Sequence, residues 1–147
     1  MFKNILVPTD GSKLSVKAAK QAVKLAKSLG ARITGFYAAP DYSSTYYGDG
    51  YILRSPSAKH QDDLTQKQAR KCLSTIEVEA AVEKVPCEVF HVSSDDPYAA
   101  IIDAAKKKKC DLIFMASHGR RGLSGLVLGS ETHKVLIHSK IPVLVCR

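Results

Sequence analysis

A chain of 147 residues, 45% hydrophobic and 24% charged, is long enough for one domain with its own core, spanning residues 1–147. No apolar run approaches the ~18 residues of a membrane span, and the opening Met1 to Pro8 lacks a secretory cleavage site, so cytoplasmic residence is the expectation. The formal charge of +8 suits either a polyanionic partner or a solvated lysine coat; the basic stretches carry no interleaved aromatics, which argues against nucleic acid. Cys72, Cys87, Cys110 and Cys146 show no zinc or dithiol spacing and read as buried, reduced thiols.

The first strand runs from Lys3 to Thr9, where Ile5, Leu6 and Val7 form a short apolar run stopped by Pro8. Asp10-Gly11-Ser12 is turn chemistry, and Ser12 caps a helix from Lys13 to Leu29. Ala18, Ala22, Leu25 and Leu29 give that helix its apolar face, while Lys13, Lys17, Lys20, Lys24 and Lys27 form a wet stripe. Gly30 ends it, and Ala31 to Ala39 is the second strand.

Asp41 to Ser57 breaks the pattern as a long loop. Its Tyr42, Tyr46, Tyr47 and Tyr51 either clamp a planar ligand or partner, or simply tack down a surface excursion. A helix from Ser57 to Glu83 follows, with Leu64, Leu73, Ile76 and Ala80 facing inward, and then a strand from Cys87 to Val92. Asp96 caps, and Pro97 opens, a helix from Tyr98 to Lys109, whose closing lysines 106 to 109 suit the negative end of the helix dipole. Cys110 to Ser117 is the fourth strand, Gly129 to Ser139 the last helix and Ile141 to Cys146 the fifth strand. Strict alternation of strand and helix predicts parallel strands with helices on both faces.

Open sheets of this kind bind ligands beyond the carboxyl ends of their strands, where the strand order reverses. Three segments qualify: Pro8-Thr9-Asp10, Ala38-Ala39-Pro40, and Met115-Ala116-Ser117-His118-Gly119 with Gly129-Ser130 ten residues further on. The third joins a strand to a helix N-terminus, where glycines admit close backbone approach and first-turn amides point at an anion. Asp10 either meets a base edge or ribose hydroxyl or is only a turn-former beside Gly11. The glycines at 119, 122, 125 and 129 have their own plain alternative, a flexible loop with close helix packing. Neither the dinucleotide fingerprint nor the Walker loop is present: Asp10-Gly11-Ser12 lacks the first, and Ser130 stands where the second needs lysine.

From Lys3 to Cys146 the chain resembles a universal stress protein of the nucleotide-binding type. The similar segments are Asn4 to Ser12, Asp111 to Gly119 and Ile141-Pro142-Val143-Leu144-Val145. That family's signature is Gly, two residues, Gly, nine residues, then Gly with Ser or Thr. Here it reads Ala116, Ser117-His118, Gly119, the nine residues Arg120 to Leu128, then Gly129-Ser130.

The expected fold is a single-domain, doubly wound, five-stranded parallel sheet of order 3-2-1-4-5, Rossmann-like, with helices on both faces. The resemblance places adenine near Pro8, Thr9, Asp10 and the backbone of Ala38, with Met115 and Ala116 on the ribose side. Gly119, Gly129, Ser130 and the amides of Glu131 and Thr132 would hold phosphates, joined by Arg120 and Arg121. Two residues depart from the pattern. Ala116 replaces the first glycine, which costs about 1 kcal/mol if a positive φ is needed there and almost nothing otherwise. Glu131 stands where a small or apolar residue is usual, and its side chain is expected to point to solvent.

The resemblance implies a dimeric stress-response sensor or regulator that binds ATP or another adenine nucleotide, with or without magnesium. Its edge strand, Ile141 to Cys146, would pair with a twin. The alternatives are a nucleotide-free dimeric scaffold and a slow ATPase or phosphotransferase. For the latter His118 and Asp10 are candidate groups, but no paired carboxylates accompany them and no catalytic residue is assigned.

Overall fold

Four strand–helix units and a final strand follow one another: β1 (Asn4–Pro8), α1 (Lys13–Leu29), β2 (Arg32–Ala39), α2 (Ala58–Val82), β3 (Cys87–Ser93), α3 (Pro97–Lys107), β4 (Leu112–Ala116), α4 (Ser130–His138) and β5 (Val143–Cys146). The computed structural model describes residues 1–41, 58–119 and 128–147. Tyr42, Tyr46, Tyr47 and Tyr51 of the predicted loop, with Arg120, Arg121, Gly122 and Gly125, lie outside the described residues. The strands form one parallel sheet of order β3-β2-β1-β4-β5, as expected. Among the described residues no helix is long and apolar enough to cross a membrane.

Strand alternation divides the core into two layers. Ile5, Val7, Ile33, Tyr37, Leu112 and Phe114 face α1 and α2. Leu6, Phe36, Ile113 and Met115 face α3 and α4, where they meet Ile101, Ile102, Ala105 and Val135. Burying each large aliphatic side chain stabilises the fold by about 1.5–3 kcal/mol.

Ser12 caps α1 by accepting the Ser15 amide at 3.2 Å, and Gly30 ends it in the left-handed region at φ 64°. The buried arc of α1 is Ala18, Ala19, Ala22, Val23 and Ala26. These small residues let the helix lie close to the sheet. The apolar face predicted from Leu25 and Leu29 is therefore displaced: Leu25 is half-buried, and Leu29, on the arc's margin in the last turn, is 38% exposed.

Leu64 also departs from expectation, at 52% exposure. α2 has 25 residues, about 37 Å of helix, against about 26 Å for the 8-residue β2. Its N-terminal turns overrun the sheet, and burial begins at Ala69 and continues through Cys72, Leu73, Ile76 and Ala80.

The other boundaries shift for local reasons. Lys109 adopts φ 53° and its amide turns back to Lys106, so α3 closes at Lys107 rather than Lys109. Asp96 occupies the cap position of α3, but its side chain makes no cap bond. β5 starts at Val143, because Pro142 contributes only its carbonyl, accepted from the Ile113 amide at 2.9 Å.

Gly35 in β2 leaves room for the Ile76 side chain of α2 and the Val89 side chain of β3. A Cβ there would stand 2.9 Å from Val89 Cγ1 and 3.1 Å from Ile76 Cδ1. Gly35→Val is expected to destabilise the protein by about 1–3 kcal/mol through overpacking. Urea unfolding followed by circular dichroism measures this, and an unchanged midpoint would contradict the packing described.

Candidate functional site

β1 and β2 stay paired along their length, from Asn4–Arg32 to Pro8–Phe36. β1 and β4 pair only at Ile5–Leu112 and Leu6–Ile113. Beyond that point the two central strands part, each holding its outer neighbour. β4 continues beside β5 to Ala116–Cys146, and the Ser117 amide extends the ladder to the Cys146 carbonyl at 2.7 Å. The chain leaves β1 for α1 on one face and β4 for α4 on the other. Such a switch point is where a doubly wound sheet opens a crevice.

One wall is the turn after β1. The Thr9 amide ends the ladder on the Phe36 carbonyl at 2.9 Å. Its buried hydroxyl lies 3.0 Å from Ser15 Oγ and accepts the Gly11 amide at 3.1 Å, so this side chain builds the turn. Asp10 Oδ1 accepts the Ser12 amide at 2.9 Å, and Gly11 takes φ 77°. Asp10 is thus a turn-former, and it also reaches across the crevice: a Cβ on Gly119 would collide with Asp10 Oδ2. β2 supplies the floor. It alternates its bonding, Phe36 accepting from Thr9 and Ala39 from Ser94, so the peptide of Ala38 turns toward the side that β1 has vacated.

The other wall is the end of β4 and the start of α4. Gly129 occupies the cap position of α4 with extended backbone and no side-chain cap, so the amides of Ser130, Glu131 and Thr132 have no partner within the helix. The Gly129 amide donates to the Ser117 carbonyl at 2.7 Å, and the buried Thr132 hydroxyl donates to the Ala116 carbonyl at 2.9 Å. These two bonds pin the helix start against the strand end. A Cβ on Gly129 would lie 3.1 Å from His118 Cα and 3.4 Å from the Ser117 carbonyl. Gly129 has φ −72°, and Gly119 likewise avoids the left-handed region. Both glycines supply space, not an unusual backbone conformation.

Ala116 is resolved by the same observation. Among the described residues only Lys84 and Lys109 are non-glycines with positive φ, so alanine carries no backbone strain at 116. Met115 packs its side chain into the α3/α4 layer. His118 faces its neighbour, with Nδ1 3.3 Å from Ser117 Oγ. Ser130 is exposed at the helix start, and Arg120 lies outside the described residues.

Glu131 overturns its expectation. Its carboxylate does not simply face solvent: Oε2 accepts the Tyr98 amide of α3 at 2.9 Å, and Oε1 lies 3.3 Å from Lys134 Nζ. Sequence reasoning missed this contact because 33 positions separate the partners, and no local pattern signals it. The bond of Thr132 to Ala116, 16 positions apart, escaped it for the same reason, and that of Thr9 to Ser15, six positions apart, because it spans a turn and a helix start that no single period covers.

Comparison with known proteins adds a family and a set of folds. The model of the universal stress protein family matches residues 1–147. Universal stress protein YxiE of Bacillus subtilis is 32% identical over 150 residues, which cover both chains completely. A solved Methanocaldococcus jannaschii universal stress protein matches with a TM-score of 0.81 at 25% identity, over 99% of this chain and 95% of that one. A universal stress protein in complex with cAMP has a TM-score of 0.70 at 24% identity, over 99% and 97% of the two chains. The Archaeoglobus fulgidus universal stress protein in complex with dAMP gives 0.71 at 18% identity, over 99% and 98%.

All four cysteines are free thiols, and none belongs to the crevice walls built by Asp10, Gly119 and Gly129. Burial pushes the Cys87 thiol up to about 11, aided by Glu77 and Glu88, and burial does the same for Cys110. A raised pKa disfavours the thiolate, so at pH 8 both remain protonated and unreactive. Iodoacetamide at pH 8 should modify Cys87 and Cys110 at least about tenfold more slowly in the folded than in the urea-unfolded protein. Cys87 is only half-buried, unlike Cys72, Cys110 and Cys146, so it departs from the expectation of a buried thiol. Peptide mass spectrometry measures the ratio, and equal rates would refute the shielding of both thiols.

Proposed function

The chain belongs to the universal stress protein family, and we propose that it binds an adenine nucleotide in the crevice between β1 and β4, as a sensor or regulator in the stress response. One observation carries the reading. The two central strands part after Leu6–Ile113, and the uncapped first turn of α4 stands at the end of the opening. Amides without helical partners at a helix N-terminus, together with the dipole, favour a phosphate. In this reading adenine lies between the Pro8–Asp10 turn and the backbone of Ala38, with ribose beside Met115 and Ala116. Phosphate rests against Gly119, Gly129, Ser130 and the amides of Glu131 and Thr132, with Arg120 adding charge. The ligands of two neighbours with this fold, cAMP and dAMP, support the adenine assignment.

Where phosphate would lie, the chain supplies amides and space. Gly119 and Gly129 keep the cradle open where a Cβ would press on Asp10 or His118. Among the described residues no group of three His, Cys, Asp or Glu side chains is placed to hold a metal. The nucleotide would be ATP or a relative with fewer phosphates.

Titration calorimetry with ATP, ADP and AMP, with and without magnesium, is expected to give binding heat. Gly119→Leu should weaken binding by at least about tenfold, because the side chain displaces Asp10 and fills the crevice, while far-ultraviolet circular dichroism stays unchanged. No heat with any nucleotide would leave a scaffold role. Phosphate release within hours would favour a slow ATPase.

We further propose that the protein works as a homodimer through β5. Among the described residues this edge strand has no neighbour on its outer side, and it exposes Leu144 at 39%, a hazard unless another strand covers it. Light scattering at micromolar concentration should give twice the chain mass, and Val145→Pro, which removes an amide from the outer edge and leaves the bonds to β4 in place, should give monomer. A monomeric parent protein would overturn the dimer.

A further inference from the structure

Glu131 serves two helix N-termini at once. It stands in the first turn of α4, where an acid suits the dipole. Its carboxylate also satisfies the start of α3, which lacks other means: Pro97 has no N–H and the Asp96 side chain makes no cap bond, so the Tyr98 amide is the first donor of that helix. The grip is two-sided. Lys134 holds the second carboxylate oxygen and also lies over the Tyr98 ring, 5.2 Å from its centroid. His138, one turn further along α4, stacks obliquely on the same ring at 5.4 Å.

A carboxylate held at both oxygens gives up a hydrogen bond and an ion pair if it swings away from an arriving anion. Its side chain is only 36% exposed, so water screens it incompletely. It stands within a turn of the Ser130 and Thr132 amides, inside the Debye length of about 8–10 Å. Lys134 cancels part of that charge.

We propose that Glu131 sets the phosphate-number preference of the crevice, favouring singly phosphorylated adenine nucleotides over triphosphates. The inference rests on the nucleotide-binding reading above and adds a residue-level cause of selectivity to it. A first phosphate gains the amides of α4, whereas each further negative charge meets a carboxylate tethered by the Tyr98 amide and Lys134. The backbone of residue 131 attracts the ligand and its side chain limits how much charge the ligand brings.

Two changes at Glu131 separate charge from position. Glu131→Gln keeps an oxygen for the Tyr98 amide and removes the charge; Glu131→Ala removes both. Calorimetry at low salt should show Glu131→Gln raising ATP affinity relative to AMP by about fivefold, with the gain shrinking at 0.5 M salt. Lys134→Ala should shift the ratio the opposite way by exposing the carboxylate. Hydrogen exchange at the Tyr98 amide should accelerate about tenfold in Glu131→Ala and stay near the parent rate in Glu131→Gln. An ATP-to-AMP ratio unchanged in all three variants, in a protein that binds nucleotide, would overturn this inference alone. A parent protein that binds no adenine nucleotide would overturn the binding reading and this inference with it.

Discussion

The parting of β1 from β4 is the constraint on which the rest of the molecule depends. Both strands are wholly buried, so their paths are fixed by the layers above and below. β1 is held along its length by β2, and β4 by β5, while the two pair with each other only at Ile5–Leu112 and Leu6–Ile113. The twist of a sheet separates neighbours wherever they cease to share bonds. Because the chain leaves β1 and β4 toward opposite faces, no helix among the described residues crosses the gap. The walls of the gap are a tight turn on one side and a helix start on the other.

Small residues decide how close those walls come. Gly129 lets α4 begin against the Ser117 carbonyl and the His118 backbone, and Gly119 leaves room for the Asp10 carboxylate. Neither adopts a left-handed conformation, which distinguishes them from Gly11 and Gly30, where positive φ is what the turn and the helix end require. The same distinction explains why Ala116 is tolerated without strain at a position where the family signature has glycine. Its backbone is ordinary strand, paired with Cys146 and held by the Thr132 hydroxyl.

Much of the fold was legible because its signals are local. Ile5, Leu6 and Val7 before Pro8, Ser12 before Lys13, Gly30 after Leu29 and Pro97 at a helix start each act over a few residues, and the structure agrees with all of them. Leu64 and Leu29 misled because periodicity reports a face without reporting how far the sheet beneath it extends. The crevice residues were legible in part. Asp10, Gly119 and Gly129 were flagged by turn chemistry and spacing. The partners of the neighbouring Thr132 and Glu131, the Ala116 carbonyl and the Tyr98 amide, were hidden in sequence distance.

The sequence by itself determined the alternation of strands and helices, their parallel sense and the segments that lie at the carboxyl edge. Those follow from hydrophobic period, capping and the shortness of connections, all carried by neighbouring residues. Tertiary structure decided where the central strands part, that the motif glycines serve space, and that the half-exposed Glu131 carboxylate also caps the start of α3. Each of these depends on groups brought together from distant parts of the chain, and burial or hydrogen-bond satisfaction between such groups has no signature at either position alone.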